Sequence, residues 1–193
     1  MAEVKILVEG RAKEIKTGWI ATSNVILVKT DNKNIIIDPG CNRKKLIEAL
    51  RKENLKTSDI GFVLLTHSHA DHTLLAGIFE KAKVLTPVEI YNNDRQIEYD
   101  RKVLGTGLEI IPTPGHCPEH CSLVVSTKNG NYVIAGDAFW WTDGEKQKID
   151  INRKDDAHPE ELNMKKLIAS RKKILKIADY IIPGHGKMFK VVK

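Results

Sequence analysis

The segment with the clearest chemical potential is His-Ser-His-Ala-Asp-His, at residues 67–72. It places three imidazoles and one carboxylate within six residues, namely His67, His69, Asp71 and His72. Imidazole and carboxylate ligands together suit Zn²⁺, Fe or Mn, whereas soft-metal sites require thiolates. Packing does not explain such a cluster, because crowded imidazoles lose water on burial and then need a partner. The segment therefore predicts a metal site.

Three further side chains that can bind a metal each follow a glycine directly: His116, Asp137 and His185. Glycine lets the backbone approach a crowded centre or adopt a positive φ. A single His is more often a core or surface residue than a ligand, so these assignments depend on the 67–72 segment. Seven potential ligands would suit two divalent ions about 3.5–4 Å apart. A carboxylate such as Asp137 can bridge two ions, because each of its oxygens can bind one of them.

Apolar and β-branched runs predict the strands that must position these side chains. The predicted strands cover residues 5–8, 24–28, 34–37, 61–65, 83–86, 108–111, 122–125, 132–135 and 180–182. Helical spacing of apolar residues predicts helices over 43–53, 74–81 and 159–178. The pattern leaves residues 91–107 unassigned and predicts a polar loop over 142–157.

Four of the predicted strands lead into a residue that can bind metal. The strand over 61–65 precedes the 67–72 segment, and those over 108–111, 132–135 and 180–182 precede His116, Asp137 and His185. Strands packed side by side bring their ends to one edge, so distant loops can share a site. The elements predict a mixed α/β fold in which helices cover the sheets.

Length and composition narrow the protein class. The 193 residues suit a single domain spanning 1–193, and 41% hydrophobic with 29% charged residues argues against disorder. The N-terminus lacks the features of a signal peptide and no apolar run approaches about 20 residues, which predicts a cytoplasmic protein without a membrane partner. The net charge of +6 leaves nucleic acid open as a partner. Basic runs such as 171–173 are interpreted as solvated helix faces.

The residues that can bind metal resemble the metallo-β-lactamase superfamily, whose HxHxDH signature stands here at 67–72. The resemblance implies an αββα sandwich of two mixed β-sheets flanked by helices, with the metals at one edge. It implies a first metal held by His67, His69 and His116. It implies a second metal held by Asp71, His72 and His185, with Asp137 bridging. Asp38 matches an aspartate that commonly lies behind these ligands.

The same resemblance implies hydrolysis, by a water activated between two divalent ions and oriented by a catalytic Asp71. Zinc is the first choice of metal, with Fe or Mn as alternatives. The expected substrate is a small ester, thioester, lactone or phosphodiester. Trp140 and Trp141 are candidates for the wall of the substrate site or for stacking on a base. Their alternative role is to cap an edge of the core.

Other functions stay open at this point. The segment from Gly136 to Val191 is similar to a small group named metallo-β-lactamase domain-containing protein 1, which implies a small metallo-ribonuclease as one alternative. Persulfide dioxygenases share the HxHxDH frame but use one iron. A non-catalytic binding module is the third alternative, and the complete set of seven ligands argues against it. The sequence does not predict the oligomeric state.

Overall fold

The computed structural model describes residues 1–155 and 160–192. In chain order, the strands are β1 (Glu3–Val8), β2 (Arg11–Ile15), β3 (Gly18–Thr22), β4 (Val25–Thr30), β5 (Lys33–Ile37), β6 (Phe62–Leu64), β7 (Lys83–Leu85), β8 (Glu89–Asn92), β9 (Arg95–Glu98), β10 (Leu108–Pro112), β11 (Cys121–Thr127), β12 (Gly130–Gly136), β13 (Tyr180–Pro183) and β14 (Phe189–Lys190). The α-helices are α1 (Arg43–Lys52), α2 (Ala70–Thr73) and α3 (Met164–Ile177).

Two large sheets contain most of the strands. The first has the order β1-β4-β5-β6-β7-β8-β9, and the second has the order β10-β11-β12-β13-β14. Both sheets are mixed, because β5, β6 and β7 run parallel in the first and β12 runs parallel to β13 in the second. Strands β2 and β3 pair only with each other and form a separate hairpin.

Alternation along the strands builds a four-layer molecule. In β4, Ile26 and Val28 face the core between the two sheets, whereas Val25 and Leu27 pack on the side of α1. In β11, Leu123 and Val125 face the central core and Val124 packs on the side of α3. Both faces of each sheet are therefore covered, and the predicted αββα sandwich is confirmed.

An asparagine directly precedes each of the two longer helices. Its side chain accepts a hydrogen bond from a backbone N–H of the first turn. Asn42 accepts from Lys45 N at 3.1 Å, and Asn163 accepts from Lys166 N at 3.0 Å. This satisfies one of the free N–H groups at each helix start. The helix predicted over 43–53 is confirmed. The helix predicted over 159–178 begins at Met164, and Pro159 and His158 lie outside the described residues.

The helix predicted over 74–81 is wrong. The chain instead forms α2 ahead of this range and a 3₁₀ turn at Ala76–Ile78. The Leu75 N–H donates to Gly40 O at 3.1 Å, a bond to another segment of the chain in place of a helical one. Gly77 further lowers helix propensity, by about 1 kcal/mol relative to alanine. Tertiary contact therefore overrides the spacing of Leu75 and Phe79, which pack into the core on the α1 side.

The strands that sequence patterns did not predict are short or solvent-exposed. β9 is exposed at all four positions and β2 at four of its five. Because neither face of such a strand is buried, its sequence lacks the alternation that predicts strands. Within the described residues, no helix has the length and apolar content needed to cross a membrane.

Candidate metal centre

The seven predicted ligands converge at one edge of the sandwich, at the ends of β6, β10, β12 and β13. They form two groups in which the ligand atoms lie within 4.8 Å of one another. The first group consists of His67, His69, His116 and Asp137. The second group consists of Asp71, His72 and His185. The loops after four separate strands thus meet in space.

In the first group, three ring nitrogens point at one another. His69 Nδ1 lies 3.0 Å from His67 Nε2 and 3.1 Å from His116 Nε2. The Asp137 carboxylate closes the group, with Oδ2 at 3.4 Å from His116 Nε2 and 3.9 Å from His67 Nε2. Three nitrogens and one oxygen therefore surround a common point.

In the second group, His72 Nε2 and His185 Nε2 face each other at 3.4 Å. Asp71 Oδ2 lies 3.2 Å from His185 Nε2 and 3.8 Å from His72 Nε2. Asp137 reaches this group as well, because its Oδ1 lies 3.4 Å from His72 Nε2. The two oxygens of Asp137 thus face different groups, as a bridging carboxylate requires.

The donor set fits divalent metal ions. Ligands on a tetrahedral ion with bonds of about 2.0–2.1 Å stand about 3.3 Å apart, close to the spacings in both groups. Asp137 Oδ1 is buried and has no hydrogen-bond partner among the described residues. Such an orphaned carboxylate oxygen is costly unless a cation pairs with it. Nitrogen and oxygen ligands without thiolate suit Zn, Fe or Mn.

Side chains behind the first group fix the orientation of its imidazoles. The Thr66 hydroxyl donates to Asp38 Oδ2 at 2.7 Å and accepts from His67 Nδ1 at 2.9 Å. His116 Nδ1 donates to the buried carboxylate of Asp155. With Nδ1 carrying the proton, Nε2 of both rings presents a lone pair to the centre, and such outer hydrogen bonds also raise ligand basicity.

Asp38 supports the second group. Its Oδ2 accepts from His72 Nδ1 at 2.8 Å, while its Oδ1 accepts from the Thr66 backbone N–H at 2.8 Å. The backbone of Asp38 has φ +48°, a left-handed conformation that is uncommon outside glycine. Such strain persists only where the surroundings fix it, and it is concentrated at functional sites. The aspartate expected behind the ligands therefore contacts His72 directly and His67 through Thr66.

Backbone carbonyls support His185. Its Nδ1 donates to Thr22 O at 3.0 Å and to Arg11 O at 3.2 Å, both on the β2–β3 hairpin. The loop that carries His185 is also tied by Asn24, whose Nδ2 donates to Pro183 O at 2.8 Å. A Cβ on Gly184 would lie 1.7 Å from Asp137 Oδ1, so only glycine permits this approach.

The pKa values of the ligand side chains are those expected of carboxylates and imidazoles placed to bind a cation. Burial would raise the pKa of Asp137, but His72 and His185 hold it well below its ordinary value. Burial would lower the pKa of His72, but Asp137 and Asp38 raise it well above the usual range. The pKa of His185 rises to about 9 because Asp137 and Asp71 outweigh its burial. Protons thus balance the carboxylates in the absence of a metal, and metal binding must displace them.

Two other histidines are held neutral. Burial, together with the charge on His72, lowers the pKa of His67 well below its ordinary value, which leaves a ring ready to bind a metal. Burial and the neighbouring His116 lower the pKa of His120 to about 3. His120 Nδ1 lies 2.9 Å from Thr113 Oγ1 and its ring is 5.1 Å from that of His67. His120 is a buried neighbour of the ligands and belongs to neither group.

A cavity of about 400 Å³ opens onto the ligands. Its polar side is formed by His69, Asp71, Asp137 and His185, and its apolar wall by Ala12, Trp19, Ala21, Ala70 and Trp140. Trp140 therefore lines the cavity, and its contact with a substrate stays a prediction. Trp141 does not: it packs in the outer core against Phe139 and Phe189, at ring distances of 6.3 and 5.5 Å. For Trp141 the structure favours the core role, and only Trp140 remains a substrate-site candidate.

Several residues of the site lay outside the sequence prediction. Asp155 falls in the predicted polar loop, where one acidic residue among many carries no signal. Trp19 lies on a hairpin that the pattern did not predict. Arg171 was interpreted as part of a solvated basic face, and this is wrong because only 1% of its side chain is exposed. The apolar spacing of α3 would have flagged it, since Leu167, Arg171 and Ile174 follow the buried i, i+4, i+7 stripe.

Residues 19–185 match the family model described as the metallo-β-lactamase superfamily. This range includes all seven residues of the two groups. The chain belongs to the metallo-β-lactamase superfamily. Most members of this superfamily are hydrolases, so a metal-dependent hydrolase is supported at the level of the family. The superfamily resemblance implied a metal site at one edge of the sandwich, and the seven side chains converge at such an edge.

Two vertebrate relatives support the assignment to this superfamily. The chain is 30% identical over 200 residues to metallo-β-lactamase domain-containing protein 1 from Xenopus laevis, an alignment that covers 98% of this chain and 82% of that protein. It is 34% identical to the protein of the same name from Homo sapiens, over 82% of this chain and 60% of that protein. The chain thus spans less than two thirds of the length of the human relative.

Solved structures show the same fold. A metallo-β-lactamase-type protein from Thermotoga maritima superposes with a TM-score of 0.72 at 20% identity, covering 98% of this chain and 99% of that one. A dizinc quorum-quenching lactonase superposes with a TM-score of 0.64 at 20% identity, covering 91% of this chain and 78% of that one. At this level of identity the likeness establishes the superfamily fold, and substrate choice has to be argued from the cavity.

Proposed function

We propose that this protein is a dinuclear metal-dependent hydrolase of a small ester, thioester or lactone that carries an apolar or aromatic group. One observation carries the proposal: two adjacent ligand groups share Asp137 and open onto a cavity with an apolar wall. In the first group His67, His69 and His116 would hold one ion, and Asp71, His72 and His185 would hold the other. Asp137 would bridge them.

Two divalent ions would supply Lewis acidity, lowering the pKa of a water and stabilising negative charge that develops on the substrate. The ligand atoms are nitrogen and oxygen, which supports zinc, with Fe or Mn as alternatives. The solved dizinc lactonase of the same fold adds support for zinc in this arrangement.

Asp71 is the candidate catalytic residue. Its side chain is 26% exposed and lines the cavity, whereas that of Asp137 is only 8% exposed. Burial would raise the pKa of Asp71, but the hydrogen bond with His185 and the charge of His72 lower it below its ordinary value. An ionised Asp71 can accept a hydrogen bond from the attacking water and orient it towards a bound carbonyl carbon. Its backbone O is held by Ser23 N at 3.1 Å, which fixes this position.

The charge pattern of the cavity supports a neutral substrate. Among the residues that the structure describes, no lysine or arginine lines it. The nearby guanidiniums are engaged, since Arg11 pairs with Asp143 at 2.7 Å and Arg153 with Glu145 at 2.8 Å. Arg153 also stacks over the Trp140 ring at 5.2 Å, which places its charge on the aromatic face. A phosphodiester, and above all a nucleic acid strand, would need cations beside the metals to pair with flanking phosphates.

Metal analysis and a substrate panel test the proposal. Protein purified without chelator should hold two ions per chain, and a double variant His67→Ala/His69→Ala should hold at most one. The panel comprises p-nitrophenyl esters, a thioester, a lactone, bis-p-nitrophenyl phosphate and glutathione persulfide, the last followed by oxygen uptake. Ester, thioester or lactone hydrolysis is expected to exceed phosphodiester hydrolysis.

Three results would contradict it. Preferred cleavage of the phosphodiester would indicate a metallo-ribonuclease or related enzyme. A single iron with persulfide-dependent oxygen uptake would indicate a dioxygenase. Two bound ions with no turnover of any substrate would favour a binding module.

A variant in the apolar wall tests the substrate class more sharply. Trp19→Ala removes one indole from the cavity and should raise KM for a phenyl ester about tenfold, the loss of roughly 1–2 kcal/mol of apolar contact, while kcat stays within twofold. The matched control is Ile20→Ala, since Ile20 is the adjacent residue, is similarly exposed and does not line the cavity. Equal effects of the two variants on KM would show that the apolar wall does not determine substrate specificity.

A further inference from the structure

One buried cation lies behind the first ligand group. The Arg171 side chain on α3 is 1% exposed, although its neighbours Lys172 and Lys173 are exposed. Taking a guanidinium out of water is costly, and an apolar side chain of similar volume would satisfy the surrounding core. Burial lowers the pKa of Arg171 to about 10, so it is still a cation at neutral pH. A buried cation at this position calls for a role other than packing.

The hydrogen bonds of Arg171 join two loops of the site. Its Nε donates to Ala138 O at 2.8 Å, and Ala138 directly follows the bridging Asp137. Its Nη1 donates to Ile151 O at 3.1 Å and to Arg153 O. These two carbonyls belong to the loop whose described part covers residues 142–155. A planar guanidinium holds several acceptors in a fixed geometry, which lysine does not.

The tethered loop delivers a ligand support. Asp155 is 1% exposed and accepts the Nδ1 proton of His116, whose Nε2 faces His69 and Asp137. The charge of Asp155 in turn favours the cationic form of Arg171 against its burial. The loop itself has no helix or strand over 142–155, so its backbone depends on such tethers for order.

We infer that Arg171 is a positioning residue for the first metal site: it fixes the 151–155 loop so that Asp155 orients His116, and it fixes the segment that follows Asp137. This inference rests on the metal-binding part of the proposed function. It concerns the first group, because Asp155 accepts from His116 and the Arg171 Nε donates to the Ala138 carbonyl, next to Asp137.

The test measures metal affinity by chelator competition in a His185→Ala background, where the first group alone is intact. Arg171→Met and Asp155→Asn should each weaken Zn²⁺ binding by about 10–100-fold, as loss of an outer hydrogen bond does. Lys172→Met is the matched control: it makes the same substitution on the next residue of the same helix, and its affinity should stay within twofold. Unchanged affinity in Arg171→Met overturns the inference.

A double-mutant cycle separates positioning from general support of the fold. If Arg171 acts through Asp155, the two residues form one unit. The double variant Arg171→Met/Asp155→Asn should then lose no more affinity than the single variant that has the larger loss. Additive losses would show independent, merely structural effects and would overturn the inference. If Arg171→Met does not fold, Arg171→Lys replaces it in the same cycle, since lysine keeps the cation and loses the fork.

The outcomes also distinguish this inference from the proposed function. If the otherwise unaltered protein binds no metal, the proposed function fails and this inference fails with it. If the unaltered protein binds two ions and Arg171→Met binds them equally well, only this inference fails.

Discussion

The two ligand groups differ in what stands behind them. In the first, His67 and His116 are oriented by the side chains of Thr66 and Asp155, which are buried in the body of the sandwich. In the second, His185 is oriented by the backbone carbonyls of Thr22 and Arg11 on the β2–β3 hairpin. That hairpin pairs with neither large sheet.

This difference predicts that the two ligand groups are not equally well ordered. A two-stranded hairpin is marginally stable without further packing. Trp19 and Ile20 on β3 are 48% and 46% exposed, so little apolar burial holds the hairpin down. The first group is therefore ordered by the core before any ion binds, whereas His185 in the second depends on an element that can open locally. We expect chelators to remove the ion of the second group first.

The largest effect should come from Asp137→Asn, because this residue faces both groups. Replacing the carboxylate by an amide removes the charge that would bridge the ions, and the loss should exceed the 10–100-fold of an outer hydrogen bond at each site. Metal analysis after dialysis should find less than one ion per chain, with hydrolysis lost. Loss of one ion with the other retained would show that Asp137 belongs to a single group.

The pH dependence of the metal-free protein reports the imidazoles that the neighbouring carboxylates keep protonated, including His185. Because the pKa of His185 is raised to about 9 in the folded chain, its contribution to stability is complete below its ordinary value of 6.5 and is lost as the pH rises through 9. His72 and His116, whose pKa values are also raised, contribute in the same direction, whereas His67 and His120, whose pKa values are lowered, act below that window. The contribution of His185 to the free energy of unfolding should fall by on the order of 3 kcal/mol over this range.

Urea titrations of the metal-free protein at pH 6.5 and above pH 9 measure this change. His185→Gln is the control and should reduce the dependence. Stability that rises with pH over the same range would contradict the assignment.

Asp38→Asn should weaken both ions, by about 10–100-fold each, because Asp38 contacts His72 directly and His67 through Thr66. Asparagine tolerates the left-handed backbone at this position, so the change removes charge without adding strain. Asp155→Asn is the comparison variant and should weaken only the first ion. Stepwise metal titration distinguishes the two patterns, and a loss confined to one ion in Asp38→Asn would break the comparison.

The smallest effect is expected from Arg11→Gln. The Arg11 side chain ties the hairpin to Asp143 through bonds of 2.7 and 3.1 Å, and both side chains are partly exposed. Such a surface pair contributes about 0.2–1 kcal/mol, so affinity for the second ion should fall less than about fivefold. Lys13→Gln on the same exposed strand is the control. A larger loss at the first ion than at the second would reverse the comparison.

Residue patterns alone predict a mixed α/β fold, most of its buried strands and the metal-binding side chains, because these follow strong local signals, whereas the αββα layers were implied by the family resemblance. Buried strands such as β6 are continuous apolar runs, and the 67–72 segment has no structural explanation. The supports are harder to predict. Asp155 and Arg171 acquire their roles from partners that are distant in sequence, His116 and the Ala138 carbonyl, and no spacing rule links them. The hairpin is missed because exposed strands bury no alternating face.

The β2–β3 hairpin carries both the carbonyls that receive His185 and the indole of Trp19 that lines the cavity. This one hairpin would thus take part in two binding equilibria. Thermodynamic linkage then makes the coupling reciprocal: whatever factor a bound substrate adds to affinity for the second ion, that ion adds to affinity for the substrate. Loss of the second ion would then weaken substrate binding, and saturating substrate would protect the protein against chelation.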